Sequence, residues 1–138
     1  EMLLDKGADI DQKSLFISSC RNGQTDIARL LLSKGVDVNS RSAQNETALM
    51  VASAGGFLDT VKFLIESKAD LNAGDGDNRT AMMFAATGGY ESVMALLQEK
   101  GADPKLKDKN GNTAGIILEG FKNSQEEPEE TPEEQSGE

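Results

Sequence analysis

The chain contains no histidine. That removes the commonest general base and the commonest transition-metal ligand. It has one cysteine, Cys20, among 138 residues. A Ser-His-Asp or Cys-His arrangement is therefore impossible within this sequence, and a structural zinc site lacks its usual donors. No internal disulfide can form. The lone thiol reads as a small apolar side chain, and it leans toward a reducing, intracellular setting without fixing a compartment. There is no basic stripe either. The net charge is −10, which argues against nucleic acid and against an anionic membrane surface. No apolar run approaches the ~20 residues needed to span a bilayer, and no signal-peptide pattern is visible.

Three kinds of short stretch resemble chemical motifs and fail. Gly55-Gly56 and Gly88-Gly89 are not followed by the Lys-Ser/Thr of a phosphate loop. Asp75-Gly76-Asp77-Asn78 opens like a calcium loop, but Thr80 stands where that loop needs a glycine at its sixth position. Asn45-Glu46-Thr47 and Asn78-Arg79-Thr80 match the N-glycosylation pattern, yet a turn and a helix cap explain both. The sequence predicts no catalytic residue, no metal site and no cofactor, hence no enzyme.

The positive signal is self-similarity. Thr47, Thr80 and Thr113 stand 33 residues apart, and Ser14 falls 33 before Thr47. Gly23, Gly56 and Gly89 keep the same register. So do Gly35, Lys68 and Gly101, and the acids Asp37, Asp70 and Asp103. A fixed period of this size marks a solenoid, in which each unit buries its apolar face against its neighbours.

Residues 47–72 give the unit in physical terms. Thr47 can cap a helix through its side-chain oxygen. Leu49, Val51 and Ala52 form the apolar side of a short helix that Gly55-Gly56 stops. A second helix follows, with Leu58, Val61, Phe63, Leu64 and Ile65 apolar at helical spacing. Residues 70–77 are rich in Asp, Asn and Gly, which favour turns. Ala52, Ala54, Ala85 and Ala86 are expected to let adjacent units approach closely, with Leu30-Leu31-Leu32 and Leu96-Leu97 filling the layer behind.

This pattern resembles the ankyrin repeat. The unit endings are Gly7-Ala8-Asp9-Ile10-Asp11, Gly35-Val36-Asp37-Val38-Asn39, Lys68-Ala69-Asp70-Leu71-Asn72 and Gly101-Ala102-Asp103-Pro104. The openings are Asn45-Glu46-Thr47-Ala48-Leu49, Asn78-Arg79-Thr80-Ala81-Met82 and Gly111-Asn112-Thr113-Ala114. The resemblance covers about residues 1–121. It implies an all-α solenoid of helix-turn-helix units with hairpin fingers, about three full repeats plus partial terminal ones. No unit keeps the family's Pro, and Ile17, Met50, Met83 and Ile116 replace its His. That His helps tie neighbouring loops, so weaker loop-to-loop coupling is expected. Asn45 and Asn78 replace the usual Gly, and Asn tolerates a left-handed backbone.

The ends depart from the period. Residues 1–6 read as the end of a second helix whose first half would precede them, so residues 1–13 are expected to be the tail of a truncated repeat. Gly7 to Gly35 is five short of the period; a shortened hairpin explains it, as do unrecorded residues near Gln12–Ser14. Full repeats are expected over 14–42, 43–74 and 75–107, and a partial cap over 108–121. Residues 122–138 are read as a disordered acidic tail, since seven glutamates fall in 126–138.

The resemblance also says where a partner would sit: on the concave side, at the finger tips and the exposed side of each first helix. Carried over by register, the candidate binding residues are Arg21, Asn22, Gln44, Glu46, Asp77, Arg79, Thr87, Tyr90, Lys109 and Asn112. For each, the plain alternative is an ordinary solvated surface residue. Phe57 and Tyr90 recur just after the Gly-Gly turns, which suggests packing against the neighbouring unit first and binding second. The leading function is a monomeric protein-interaction module with a protein partner. The alternative is a regulatory or inhibitory repeat segment of a larger multidomain protein. A spacer within a longer array, or a tail that binds a basic protein, are further readings.

Overall fold

The computed structural model describes residues 2–125, and side chains from residue 12 onward. Among the described residues there are seven helices and no strand. They are α1 (Met2–Arg21), α2 (Thr25–Ser33), α3 (Ala48–Ala54), α4 (Leu58–Glu66), α5 (Ala81–Thr87), α6 (Glu91–Glu99) and α7 (Ala114–Gln125). In an inner row, α1, α3, α5 and α7 pack side by side in that order. Behind it stands an outer row of α2, α4 and α6. Between an outer helix and the next inner one the chain makes an extended loop that ends in a finger. An isolated antiparallel bridge, Arg41 to Thr47, closes the first finger.

Local chemistry explains the repeat boundaries. The Thr47 hydroxyl accepts the N–H of Met50, and the Met50 thioether accepts the N–H of Thr47 at 3.4 Å. Thr80 and Thr113 cap α5 and α7 in the same way, accepting from Met83 and Ile116. Each cap satisfies an otherwise unpaired helix N–H. Asn45 and Asn78 adopt φ of 65° and 64°, the left-handed backbone expected of residues in the place of Gly. Lys68 does so too, with φ of 75°, in the column otherwise held by Gly35 and Gly101. There the N–H of Ala69 reaches back to Leu64 and that of Lys68 to Ile65, closing the end of α4.

The core runs between the two rows. Phe16, Leu49, Met50, Leu64, Met83 and Leu97 are its largest fully buried side chains. Cys20 is buried among them, and burial pushes its thiol up to about 12, so it packs as an apolar group and is no nucleophile. Phe57 and Tyr90 pack across unit boundaries. A Cβ on Gly23 would stand 2.5 Å from the Phe57 ring, and one on Gly56 would stand 2.6 Å from the Tyr90 ring. Phe121 of α7 covers Gly89 in the same manner.

Several expectations are corrected. Helix α1 runs unbroken through Gly7–Asp11 and through Ser14, where the sequence suggests a turn and a cap. The interval is five residues short, so no length remains for a loop and finger, and the chain continues as helix. Leu30 does not fill the layer: it is 55% exposed, while Leu31 is buried. Ala54 faces solvent, although Ala52, Ala85 and Ala86 are buried as expected. Ile17, Met50 and Met83 keep the packing of the substituted His, but Ile116 is half exposed, because no further unit covers α7 among the described residues. Helix α7 extends to Gln125, so residues 122–125, expected in the tail, are helical. The rest of that expectation, 126–138, lies outside the described residues.

Candidate functional site

Each finger is built around an acceptor at its first turn. The Ser42 hydroxyl accepts the N–H groups of Gln44 and Glu46, both at 3.2 Å. One carboxylate oxygen of Asp75 accepts those of Asp77 and Arg79, both at 2.9 Å. Asp108 does the same for Asn110 and Asn112, also at 2.9 Å. These side-chain-to-backbone turns hold the tips in one conformation. Ser42, Asp75 and Asp108 stand 33 apart, so the column was legible in the sequence, yet residue-by-residue reading passed over it.

Asp75 is the most constrained of the three. Burial pushes its carboxyl upward, but the N–H groups of Arg79 and Asp77 and the Arg79 guanidinium outweigh it. The net effect holds the carboxyl below its ordinary value. Arg79 donates through Nε at 3.0 Å and Nη2 at 2.9 Å to the other carboxylate oxygen. Its guanidinium also lies 5.0 Å from the centre of the Phe84 ring, a cation–π distance. The guanidinium is thus fixed in place while the side chain remains 46% exposed.

The predicted binding residues fall into two groups. Asp77, Arg79 and Lys109 come together: Asp77 lies 3.2 Å from Lys109 Nζ and 3.9 Å from Arg79 Nη2. Arg21 and Glu46 pair at 3.2 Å between the end of α1 and the first finger. Among the described residues no ion pair joins the two groups. Gln44 and Asn112 sit at finger turns, exposed and half-buried respectively. Asn22 is exposed just after α1. Thr87 is exposed at the end of α5 but spends its hydroxyl on the Met83 carbonyl at 3.0 Å. Tyr90 is 39% exposed, with one ring face spent on Gly56.

Fingers are tied to one another by groups that, Asp77 and Lys109 apart, the sequence reading left out of its candidate set. Asn39 accepts the N–H of Asp70, and Asn72 that of Asp103, both at 2.8 Å. Arg41 donates to the Gly74 carbonyl at 2.7 Å. The N–H of Lys109 donates to the Asp77 carbonyl at 2.9 Å. The result is a continuous, preorganised polar edge. Among the described residues no group of His, Cys, Asp or Glu is placed to hold a metal ion. No helix there is long and apolar enough to cross a membrane.

Among curated proteins, none matches the chain. A family model for ankyrin repeats matches residues 15–108 in three copies. That span holds the two-row stack, the fingers and their ties. Ankyrin repeats are in general non-catalytic protein-interaction modules. With more than two thirds of its length matched and the repeat geometry in place, the chain belongs to the ankyrin-repeat family.

Proposed function

We propose that this chain binds a protein partner through its finger tips and the exposed ends of its first helices, and has no catalytic activity of its own. The observation that carries this reading is the Asp75–Arg79–Asp77–Lys109 network. It spans two fingers and fixes a half-exposed guanidinium in advance, so little conformational freedom is lost on binding. Arg is also among the residues that dominate interface energetics. The partner is a protein and not nucleic acid or a membrane surface, since the acidic chain offers no cationic stripe. The module acts as a monomer.

The test is affinity capture from source lysate with the full chain and two variants. Arg21→Ala/Lys109→Ala removes exposed cations from both groups. Lys62→Ala/Lys100→Ala removes the same charge from the outer row. A protein held by the parent and the outer-row variant but lost by the finger variant supports the reading. Equal retention by all three sinks it.

A further inference from the structure

The backbone ties between fingers have a polarity. In each, the N–H belongs to the downstream unit and the acceptor to the upstream one: Asn39 to Asp70, Asn72 to Asp103, and the Asp77 carbonyl to Lys109. The carboxylate of Asp77 adds an upstream charge for downstream Lys109 Nζ. Two side chains run the other way: Arg41 donates to the Gly74 carbonyl and Arg21 to the Glu46 carboxylate. In its backbone groups the upstream edge of a unit is therefore its donor edge, and it takes oxygen acceptors.

At the first finger that edge is not covered by another finger. Helix α1 passes straight through the stretch where a preceding loop would form. In its place lies a cleft of about 330 Å³ bordered by Lys13, Lys34, Val36 and Asp37. A second recess of about 220 Å³ shares Lys13 and adds Ile17 and Arg41. Asp37 stands in register with Asp70 and Asp103, whose N–H groups are the ones that receive the upstream tie. Lys13 and Lys34 are exposed on the two sides of the cleft. Among the described residues two lysines and one carboxylate thus border the cleft, in a chain that is strongly acidic as a whole. Arg41, at the second recess, is turned to the Asn45 and Gly74 carbonyls.

From this we infer that the cleft between α1 and the first finger binds an extended, carboxylate-rich peptide segment of a partner protein. The segment takes the place of the absent finger. Its carboxylates meet Lys13 and Lys34, and one of its oxygen acceptors takes the N–H of Asp37, in register with those of Asp70 and Asp103. The site is separate from the finger tips of the proposed function and stands or falls without them.

The experiment uses the full chain and a fluorescein-labelled octapeptide of alternating Asp and Ser, with an Asn-Ser octapeptide as its uncharged counterpart. Fluorescence anisotropy gives affinity, and amide chemical shifts give location. The acidic peptide is expected to bind about tenfold tighter than the amide one, since ion pairs across a partly sheltered cleft add to one another. Shifts should centre on residues 34–43. Lys13→Gln/Lys34→Gln should weaken binding about fivefold, while Lys105→Gln/Lys107→Gln, equal in charge change, should leave it within about twofold. Equal weakening by both pairs would mean a diffuse field effect and overturn the proposal, as would shifts centred elsewhere. Salt-dependent shifts at 34–43 with no peptide added would assign the cleft to the chain's own residues 126–138, and would also overturn a partner segment as occupant.

Discussion

The carboxamide oxygen of Asn72 accepts the backbone N–H of Asp103 at 2.8 Å, across 31 residues of sequence. Asn39 and Asp70 repeat the relationship one unit earlier. Replacing Asn72 by Ala should cost about 0.5–1.5 kcal/mol, the net worth of one such bond. Asn72→Asp keeps an acceptor oxygen and should recover most of it. Urea denaturation measures the loss, and amide exchange at Asp103 should quicken in the Ala variant alone. Equal stability of all three proteins would show that the tie contributes nothing.

Gly56 and Tyr90 are coupled by contact. Gly56 has φ of 71°, and a Cβ there would stand 2.6 Å from the Tyr90 ring. Gly56→Ala therefore meets two penalties: about 1–2 kcal/mol for a left-handed non-glycine backbone, and displacement of the ring. In a Tyr90→Ala background only the first remains. The cost of Gly56→Ala should be smaller there, giving a measurable interaction between the two sites in a double-mutant cycle. Strict additivity would contradict the packing.

Asp75 makes stability depend on pH. Its carboxyl is held below the ordinary value of 3.8 in the folded chain. The ionised form is favoured by folding, so its contribution is fully present above that value. It is lost as pH falls through the lower folded-state value. Asp75→Asn retains an oxygen for the N–H groups of Asp77 and Arg79 but removes the charge. Between neutral pH and about pH 3, the urea midpoint of the parent should fall more steeply than that of the variant. Parallel curves would mean that Arg79 does not stabilise the charge.

Cys20 and Leu30 show where one-dimensional reading succeeds and where it stops. Cys20 occupies a column shared with Ser53 and Ala86 on successive inner helices, so its burial was legible from register. Leu30 lies in an apolar triplet, and its column mate Phe63 is buried. Its own exposure comes from its position at the upstream end, where no earlier outer helix stands against α2 among the described residues. The finger column Ser42, Asp75 and Asp108 was likewise present in the period, but only as spacing. Its meaning emerged once the carboxylate of Asp75 was seen buried against two N–H groups and Arg79.

The sequence by itself determined the unit. Caps at Thr47, Thr80 and Thr113 reach three residues along the chain, and the left-handed turns at Asn45 and Asn78 are set by residue type. Such features are local, so periodicity carries them. The tertiary structure decided everything that joins residues 25–35 apart: the Arg21–Glu46 pair, the Asn72–Asp103 tie and the seat of Tyr90 on Gly56. Those contacts depend on how one unit is rotated and set down on the next, and no local preference fixes that geometry. The helical path of α1 through Gly7–Asp11 belongs to the same class. A turn-forming sequence with too little length for a finger was drawn into helix, and the cleft at the first finger is the consequence.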